Sequence, residues 1–291
     1  MTRRLQGVAA SRLSGGLVVL LAGVGGWEIL ASLVTAKGSY HEPLVPRWGY
    51  LMRDSLLRMS DYWDGSLGVP SPSQGAPPTY AAALLALGQA SLITLERMVI
   101  GVAGGVVAGV GLGLAVSASR LLRQLVAPTV HILRMTPFLA MIPLFDLWFG
   151  AATFGIILFV AYGVAVILFI GTINAVRNVP PVFFDRAATL GAGRVTVFRH
   201  IVLPAIFPEI RASMLLSFGL AWSLVVGGEL LGAQTGLGVI VTYALQFAYT
   251  GRVLIVAFLF VLYAGISFSL FDSLSRRAAK WHPFAARTER V

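Results

Sequence analysis

The chain has 291 residues, of which 57% are hydrophobic and only 12% are charged, and its mean hydropathy is +0.83. A soluble domain of this length needs far more charge on its surface, so the composition excludes one and predicts an all-α protein that crosses a membrane several times. The net charge of +10 is expected to reflect membrane orientation and contact with a bilayer of anionic lipid, because no basic and aromatic surface suited to nucleic acid is visible.

Six runs are apolar and long enough for membrane-spanning helices, each of which needs about 20 residues. They are residues 16–36, 90–117, 126–149, 153–173, 207–231 and 253–270. The first run follows Arg3, Arg4 and Arg12 and could instead be a cleaved signal peptide. Its length, together with Trp27 and Glu28, favours an anchor, so we predict six spans.

Lys and Arg predict the orientation, because short loops that are rich in them stay in the cytoplasm. With both termini cytoplasmic, the inner face carries Arg3, Arg4, Arg12, Arg120, Arg123, Arg177, Arg186, Arg194, Arg199, Arg276, Arg277, Lys280, Arg287 and Arg290. The outer face carries only Lys37, Arg47, Arg53, Arg58 and Arg252. We therefore predict a cytoplasmic N-terminus, residues 1–15, and a basic cytoplasmic tail, residues 276–291.

Residues 37–89 form the predicted outer segment between the first two spans. Residues 46–63 are expected to form an amphipathic helix that lies on the membrane surface. Its apolar residues are Trp48, Leu51, Leu56 and Met59. Residues 65–78 are rich in Gly, Pro and Ser, which predicts an irregular loop and favours a solvated linker over a contact site.

The second span carries glycines at every fourth position. They are Gly101, Gly105, Gly109 and Gly113. Small residues in register let another helix backbone approach closely in lipid. The series therefore predicts helix packing, either within the bundle or across a dimer.

Several kinds of chemistry are not expected in this chain. It has no cysteine, and its four histidines show no metal-ligand spacing. Its two lysines, Lys37 and Lys280, do not end a phosphate-binding P-loop. We expect no metal or cofactor to be bound and no enzymatic activity, so that any ATP would be used by a partner.

Ionisable residues within the spans are candidates for the pathway, since burying charge in lipid is costly. Arg134 would attract an oxyanion, but it could also reach lipid phosphates or pair with Asp146 or Glu96. Asp146 beside Trp148 suggests an interface residue, with a pathway role as the alternative.

The outer end of the fifth span supplies two more candidates, Glu229 and Gln234. They could form a gate or a docking surface, and a structural cap on the turn is an equal alternative. Glu96 and Arg97 adjoin the second span and are expected at the outer boundary rather than in the core.

Residues 174–206 form a charged, Gly-punctuated insert between the fourth and fifth spans. Pro180 and Pro181 stop the preceding helix, and residues 182–190 can form about two helical turns. Gly191 and Gly193 then allow a left-handed turn, and a second helical stretch over residues 194–203 leads to Pro204.

The short helix is predicted to place Phe183, Ala187 and Leu190 on one face, with Asp185 and Thr189 turned away. A helix of this length is not stable alone in water, so something must hold it. Phe183 and Phe184 could anchor it in a partner's groove, and an interfacial helix lying on lipid is the alternative.

The run Asp185, Arg186, Ala187, then Gly191, then Ile201, Leu203 and Pro204 resembles the EAA motif of permease subunits in binding-protein-dependent ABC importers. Residues 133–150 resemble the third span of the nitrate, sulfonate and taurine branch of that family, and residues 219–241 resemble its fifth span and outer turn. The resemblance covers about residues 92–281. Asp185 replaces the family's Glu and Arg186 replaces its first Ala, so a family contact is not carried over to position 186.

This resemblance implies a type I ABC importer permease fold, with a five-helix core over residues 90–275. It implies that the insert is a coupling loop, and the docking residues are Val182, Phe183, Phe184, Asp185, Arg186, Ala187, Thr189, Leu190, Gly191 and Ala192, with Ile201, Leu203 and Pro204 as framework. The expected location is the bacterial cytoplasmic (inner) membrane.

The resemblance further implies alternating access in a permease dimer, expected to be a homodimer. Two ATP-binding subunits would use ATP and Mg, and an extracytoplasmic binding protein would deliver a small organic or inorganic anion. A secondary transporter would instead need a midplane ion site and an internal repeat, neither of which is evident. A structural membrane subunit that scaffolds an enzyme is a further alternative.

Overall fold

The computed structural model describes residue 18, residues 21–34, residue 36, residues 42–150 and residues 152–278. The predicted N-terminal segment 1–15 and residues 279–291 of the predicted basic tail lie outside the described residues. The regular elements of the described part are helical, as the all-α prediction requires. They fall within two compact units, Met1–Gly88 with Ile240–Phe258, and Gln89–Val239 with Leu259–Val291.

The main helices from α2 onward follow one another with short connections, whereas residues 34–79 separate α1 from α2. They are α1 Leu21–Leu33, α2 Tyr80–Ser117, α3 Arg120–Met135, α4 Phe138–Phe149, α5 Thr153–Arg177, α6 Pro181–Thr189, α7 Arg194–Gly232, α8 Leu237–Gln246 and α9 Thr250–Ala278.

Among the described residues, four helices are long and apolar enough to cross a membrane, namely α2, α5, α7 and α9. A fifth span results if α3 and α4 are counted together. The predicted first span, residues 16–36, lies partly outside the described residues, and its described helix α1 is shorter than a full span. The short helix α8 was not predicted, since residues up to 241 were assigned to the fifth span and its outer turn and residues 242–246 to no element.

The third predicted span, residues 126–149, is wrong as a single straight helix. Leu121–Met135 and Phe138–Phe149 are bent by 99° relative to each other. Thr136, which precedes Pro137, has φ −67° and ψ 129° and is therefore extended. A proline ring disfavours the helical conformation in the residue before it, which accounts for the break.

Pro204 does not end the helical stretch that was predicted over residues 194–203. The chain passes through a turn of π-helix, Phe198–Val202, and continues as α7 into the next span. Pro204 lies in the first turn of the regular helix that follows. A proline is tolerated here because the π-helical turn just before it already interrupts the regular i−4 hydrogen-bond pattern.

The core of the second unit lies between α5 and α7. Its buried side chains include Phe159 and Leu168 from α5 and Trp222 and Val225 from α7, each at most 7% exposed. The indole Nε1 of Trp222 donates to Ser267 Oγ at 2.9 Å. Close packing of this kind joins α5 and α7 in one shared core.

The four glycines of α2 pack on α5. A Cβ atom added to any of them would lie too close to an atom of α5. The distance would be 2.7 Å from Gly101 to Val160 Cβ and 2.8 Å from Gly105 to the Ala161 carbonyl oxygen. It would be 2.6 Å from Gly109 to the Ala165 carbonyl oxygen and 2.7 Å from Gly113 to Thr172 Cβ. The ridge therefore lies against a neighbouring helix of the same chain. Absence of side chains at these positions is what allows the two backbones to come so close.

We expect Gly109→Ala to lower the free energy of unfolding by about 1–3 kcal/mol, because the new methyl group would overlap a backbone oxygen that cannot rotate away. Gly111→Ala is the matched control, since nothing lies within 4 Å of a Cβ at that position. Thermal unfolding in detergent, followed by tryptophan fluorescence, measures both. Equal effects of the two substitutions would contradict the packing account.

The predicted outer segment, in the first unit, packs part of its apolar stripe against protein. It is helical from Trp48 to Tyr62, as predicted, in short turns of α-, π- and 3₁₀-helix. Leu51 and Met59 are 1% and 0% exposed, so the prediction that they face the membrane surface is wrong. The reason is tertiary packing, because an apolar stripe faces whatever apolar surface the fold supplies.

Arg252, at the start of α9, holds the end of this segment. Its guanidinium group bonds Asp61 Oδ2 at 2.9 Å and lies over the ring of Tyr249, 4.3 Å from the ring centroid. The same guanidinium also contacts Tyr62, and burial raises the pKa of the Tyr62 hydroxyl above its usual value. This phenol therefore stays neutral in the ordinary pH range.

The loop over residues 65–78 is irregular, as predicted, but it is not simply a solvated linker. Trp63 is 3% exposed, its Nε1 donates to the Val69 carbonyl oxygen at 2.9 Å, and it packs against Ala82 and Ala86. Ser71 Oγ donates to the Trp63 carbonyl oxygen. The loop thus folds back over a buried tryptophan.

Candidate functional site

The short helix α6 has well-defined ends. Pro180 precedes it in extended conformation, and Pro181 occupies its first turn. At the other end Gly191 has φ +69°, its N–H donates to the Ala188 carbonyl oxygen, and the Ala192 N–H donates to the Ala187 carbonyl oxygen, both at 3.0 Å. This pair of bonds is the Schellman arrangement, which needs a left-handed residue and hence favours glycine at position 191.

The exposure of α6 shows which of its residues face outward. Ala187 is 4% exposed and faces the rest of the protein, whereas Phe183 is 45% and Leu190 is 86% exposed. Leu190 is the C-terminal cap and lies outside the helix, so the prediction that it shares a helical face with Phe183 and Ala187 is wrong. Phe183 and Ala187 are four residues apart and lie on the same side of α6, but only Ala187 is covered by the rest of the protein.

The two adjacent phenylalanines lie in different surroundings. Phe184 lines an apolar pocket with Leu114, Val176 and Phe198, whereas Phe183 is not part of that lining. Phe184 is 37% exposed and Phe183 is 45% exposed, so the two side chains differ in the pocket that Phe184 lines rather than in burial. Val182, Phe183 and the open edge of Phe184 are the apolar surface that α6 presents outward.

Charged residues accompany this apolar surface. Asp185 and Arg186 are both exposed, and neither forms an ion pair within the described ranges of the chain. Thr189 Oγ1 donates to the Arg186 carbonyl oxygen at 2.8 Å, which closes the last turn. An apolar side chain rimmed by charges is the composition that a protein contact shares with an interfacial helix lying on lipid.

A small core anchors the chain on both sides of α6. Ala175 and Val179 precede it, Val202 and Ile206 follow it, and all are at most 6% exposed. The Asn178 side-chain amide, just after α5, donates to the carboxylate of a glutamate in α7 at 3.1 Å. The ends of α5 and α7 therefore hold α6 on two sides.

Of the predicted framework residues, Ile201 and Pro204 are half-buried and Leu203 is 37% exposed. The fully buried positions are instead Val202 and Ile206. Their spacing of four residues is a helical apolar pattern that the motif residues Ile201, Leu203 and Pro204 do not contain.

At the ends of α5 and α7 that lie away from α6, a buried ion pair joins α2 to α7. Arg97 Nη1 lies 2.7 Å from Glu229 Oε1, and the two side chains are 1% and 0% exposed. Arg97 also donates to Thr153 Oγ1 at 2.9 Å and to the Thr235 carbonyl oxygen at 2.6 Å. The arginine therefore joins α2, α5, α7 and the turn after α7.

The carboxylate of Glu229 has further donors besides Arg97. Thr94 Oγ1 contacts Oε1 at 2.9 Å, and the Gly238 N–H donates to Oε2 at 2.9 Å. Thr94 Oγ1 also accepts from the Leu237 N–H at 3.0 Å. A buried charge with this many partners holds the turn in one conformation, which corresponds to the structural cap considered from the sequence.

The predicted pathway residues are not brought together. Arg134 is exposed in the last turn of α3, Asp146 is half-buried in α4, and Gln234 is exposed in the turn after α7. Within the described part of the chain Arg134 pairs with neither Asp146 nor Glu96. Only Glu229 has a charged partner, Arg97, at close range.

Sequence reasoning missed Arg97 and placed it at the outer boundary. The signal was available, because an Arg and a Glu lie within otherwise apolar spans and each would be costly to bury without the other. The two residues are separated by 132 positions, so the pairing itself could not be read locally. The searched residues contain no group of three His, Asp or Glu side chains that could hold a metal ion.

Comparison with known proteins matches residues 105–280 to the family described as binding-protein-dependent transport system inner membrane component. The chain is 31% identical over 189 residues to the putative aliphatic sulfonates transport permease protein SsuC of Bacillus subtilis, covering 65% of this chain and 68% of the relative. It is 30% identical over 194 residues to the taurine transport system permease protein TauC of Escherichia coli, covering 65% and 69%.

Among solved structures, the MetNI methionine ABC transporter in inward-facing conformation has a similar fold. The TM-score is 0.53 at 22% identity, over 67% of this chain and 94% of the solved one. At this identity the likeness concerns the fold alone.

Proposed function

The chain belongs to the binding-protein-dependent transport system inner membrane components, and on this premise we propose that it forms the translocation path of an ATP-driven importer for a small anion. The substrate class rests on the relatives named for aliphatic sulfonates and taurine. Sulfonates, taurine and nitrate share a compact, negatively charged oxyanion group. The exposed Arg134 adds a cation to one of the spans, which suits such a solute.

The observation that carries the proposal is the outward-facing surface of α6. A nine-residue helix would not persist alone, yet here the turn at Gly191 closes its C-terminus and a buried core holds the chain on both sides of it, while Val182 and Phe183 stay exposed. A partner can transmit force through an apolar side chain that a packed core holds in place. We propose that an ATP-binding subunit docks here, with Phe183 as anchor and Asp185 and Arg186 at the rim.

The attachment of α6 to α5 and α7 suggests how motion reaches the other side of the membrane. Thr153 and Arg177 are the two ends of α5, and at 1.5 Å per residue they lie about 36 Å apart. Because α5 and α7 share one packed core, a push on α6 would tilt both helices together rather than deform them. The Arg97 and Glu229 network would keep their far ends joined to α2 during that tilt.

The working assembly in this proposal contains two copies of the permease, two ATP-binding subunits and an extracytoplasmic binding protein. ATP and Mg are used by the ATP-binding subunits, and closure of their pair drives alternating access. The permease itself carries out no chemistry on the solute. Its membrane is the bacterial cytoplasmic membrane.

The test is uptake of radiolabelled taurine and of a short alkanesulfonate into proteoliposomes that contain the purified complex, with ATP inside or outside. Uptake that requires ATP on the side of the ATP-binding subunits, together with the binding protein on the other, supports the proposal. Uptake by the permease chain alone, driven by an ion gradient, would instead indicate a secondary transporter.

A further inference from the structure

A basic groove lies between α3 and the last turns of α5. Its volume is about 530 Å³. The lining residues are Arg123, Gln124, Pro128, His131, Ile173, Asn174 and Arg177. These residues include two arginines, a histidine and two amides, but no carboxylate.

The two arginines of this groove have no carboxylate partner among the described residues. Within the described residues neither Arg123 nor Arg177 forms an ion pair. Arg123 is half-buried, and Arg177 is exposed at the last residue of α5. Two like charges that line one groove repel each other, so an anion between them would lower the electrostatic energy.

The helix that supplies Arg123 and His131 has two different apolar sides. On one side Val126 and Val130 pack against the buried Phe169 of α5. On the other side, three apolar residues are exposed. They are Leu121, Leu125 and Ile132, at 65%, 64% and 68%.

Helical periodicity places the groove residues of α3 between these two sides, with Arg123 next to the packed side and His131, Gln124 and Pro128 nearer to the exposed apolar stripe. A helix with a cationic side next to an exposed apolar side is the pattern of helices that lie at a membrane interface. The groove therefore offers a site for a charged group, and the stripe offers a surface for hydrocarbon.

We propose that this groove binds the headgroup of an anionic phospholipid. The phosphate would lie between Arg123 and Arg177, with His131, Gln124 and Asn174 as further hydrogen-bonding groups, and the acyl chains would run along the apolar stripe of α3. Arginine suits this role because its planar guanidinium group can donate two parallel hydrogen bonds to one phosphate. The inference uses the membrane location of the chain and does not depend on the identity of its solute.

The experiment is native mass spectrometry of the full-length chain in nonionic detergent, titrated with dioleoyl phosphatidylglycerol or with dioleoyl phosphatidylcholine. We expect the glycerol lipid to bind more tightly than the choline lipid, because only the former carries net negative charge. In the double variant Arg123→Gln with Arg177→Gln, affinity for phosphatidylglycerol should fall about 30-fold, as expected for the loss of two cations near a lipid phosphate.

Two further variants keep the test decisive. Arg123→Lys with Arg177→Lys keeps both charges and should stay within about threefold of the natural chain, which separates lost charge from lost folding. Arg53→Gln with Arg58→Gln removes the same net charge from two exposed residues elsewhere and should leave lipid binding unchanged.

Three outcomes would overturn the proposal. The first is equal binding of the two lipids, and the second is an equal loss in the Arg53 and Arg58 control. The third is displacement of the lipid by inorganic phosphate or taurine at concentrations well below a millimolar, which would assign the groove to a free anion rather than to a headgroup. Retention of the lipid in excess inorganic phosphate supports the headgroup as the source.

Discussion

Replacing Glu229 with Ala is expected to lower the free energy of unfolding by about 3–5 kcal/mol, because it leaves the Arg97 guanidinium buried without its counter-charge. Thr94 and the Gly238 N–H would lose an acceptor at the same time. For a domain of this size, the midpoint of thermal unfolding should fall by on the order of 10 °C. Fluorescence-monitored unfolding of the purified chain in detergent measures it.

Glu96→Ala is the matched control, since Glu96 is an exposed glutamate on the same helix as Arg97, and it should change stability by less than about 1 kcal/mol. The double variant Arg97→Met with Glu229→Met should be more stable than Glu229→Ala, because it removes both buried charges together. If Glu229→Ala were no worse than Glu96→Ala, the ion pair would not be holding the turn after α7.

Phe183→Asp is expected to abolish coupling while the permease still folds. The side chain is 45% exposed and outside the pocket that Phe184 lines, so a carboxylate there stays in water in the isolated chain. In the complex it would be buried in an apolar site, and loss of such an anchor weakens binding by about 30-fold or more. ATP hydrolysis by the reconstituted complex, with and without binding protein, measures the loss of stimulation.

Two comparisons separate docking from folding. Leu67→Asp changes an apolar residue that is 80% exposed in the outer segment and should leave the stimulated hydrolysis unchanged. Phe184→Asp places a charge in the protein's own apolar pocket, so it should lower thermal stability, which Phe183→Asp should not. A Phe183→Asp complex with normal stimulation would exclude α6 as the coupling contact.

The features that could be predicted from sequence were those with local signals. Pro180, Pro181 and Gly191 mark the ends of α6 by their restricted or unusual backbone angles, and these angles are observed. The four-residue spacing of the glycines in α2 likewise predicts the close approach of another helix backbone. In both cases the residue type itself limits which structures are compatible.

Features that depend on residues far apart in sequence were not predictable in the same way. Arg97 and Glu229 pair across 132 positions, and the sequence around either residue does not indicate which residue it pairs with. Leu51 and Met59 formed a plausible membrane-facing stripe, but the fold supplied a protein surface for it. A proline at position 137 is compatible with a bend, but it does not by itself predict one, because the prolines at positions 128 and 143 lie inside helices. Which proline breaks the helix therefore depends on the surrounding structure.

The most direct measurement of the central claim is to purify the chain from its native membrane in mild detergent and identify by mass spectrometry what accompanies it. The account predicts that an ATP-binding subunit is recovered with the natural chain and is lost with Phe183→Asp, while the Leu67→Asp chain retains it. Recovery without any ATP-binding subunit in every case would contradict the account and point to a transporter that works without ATP.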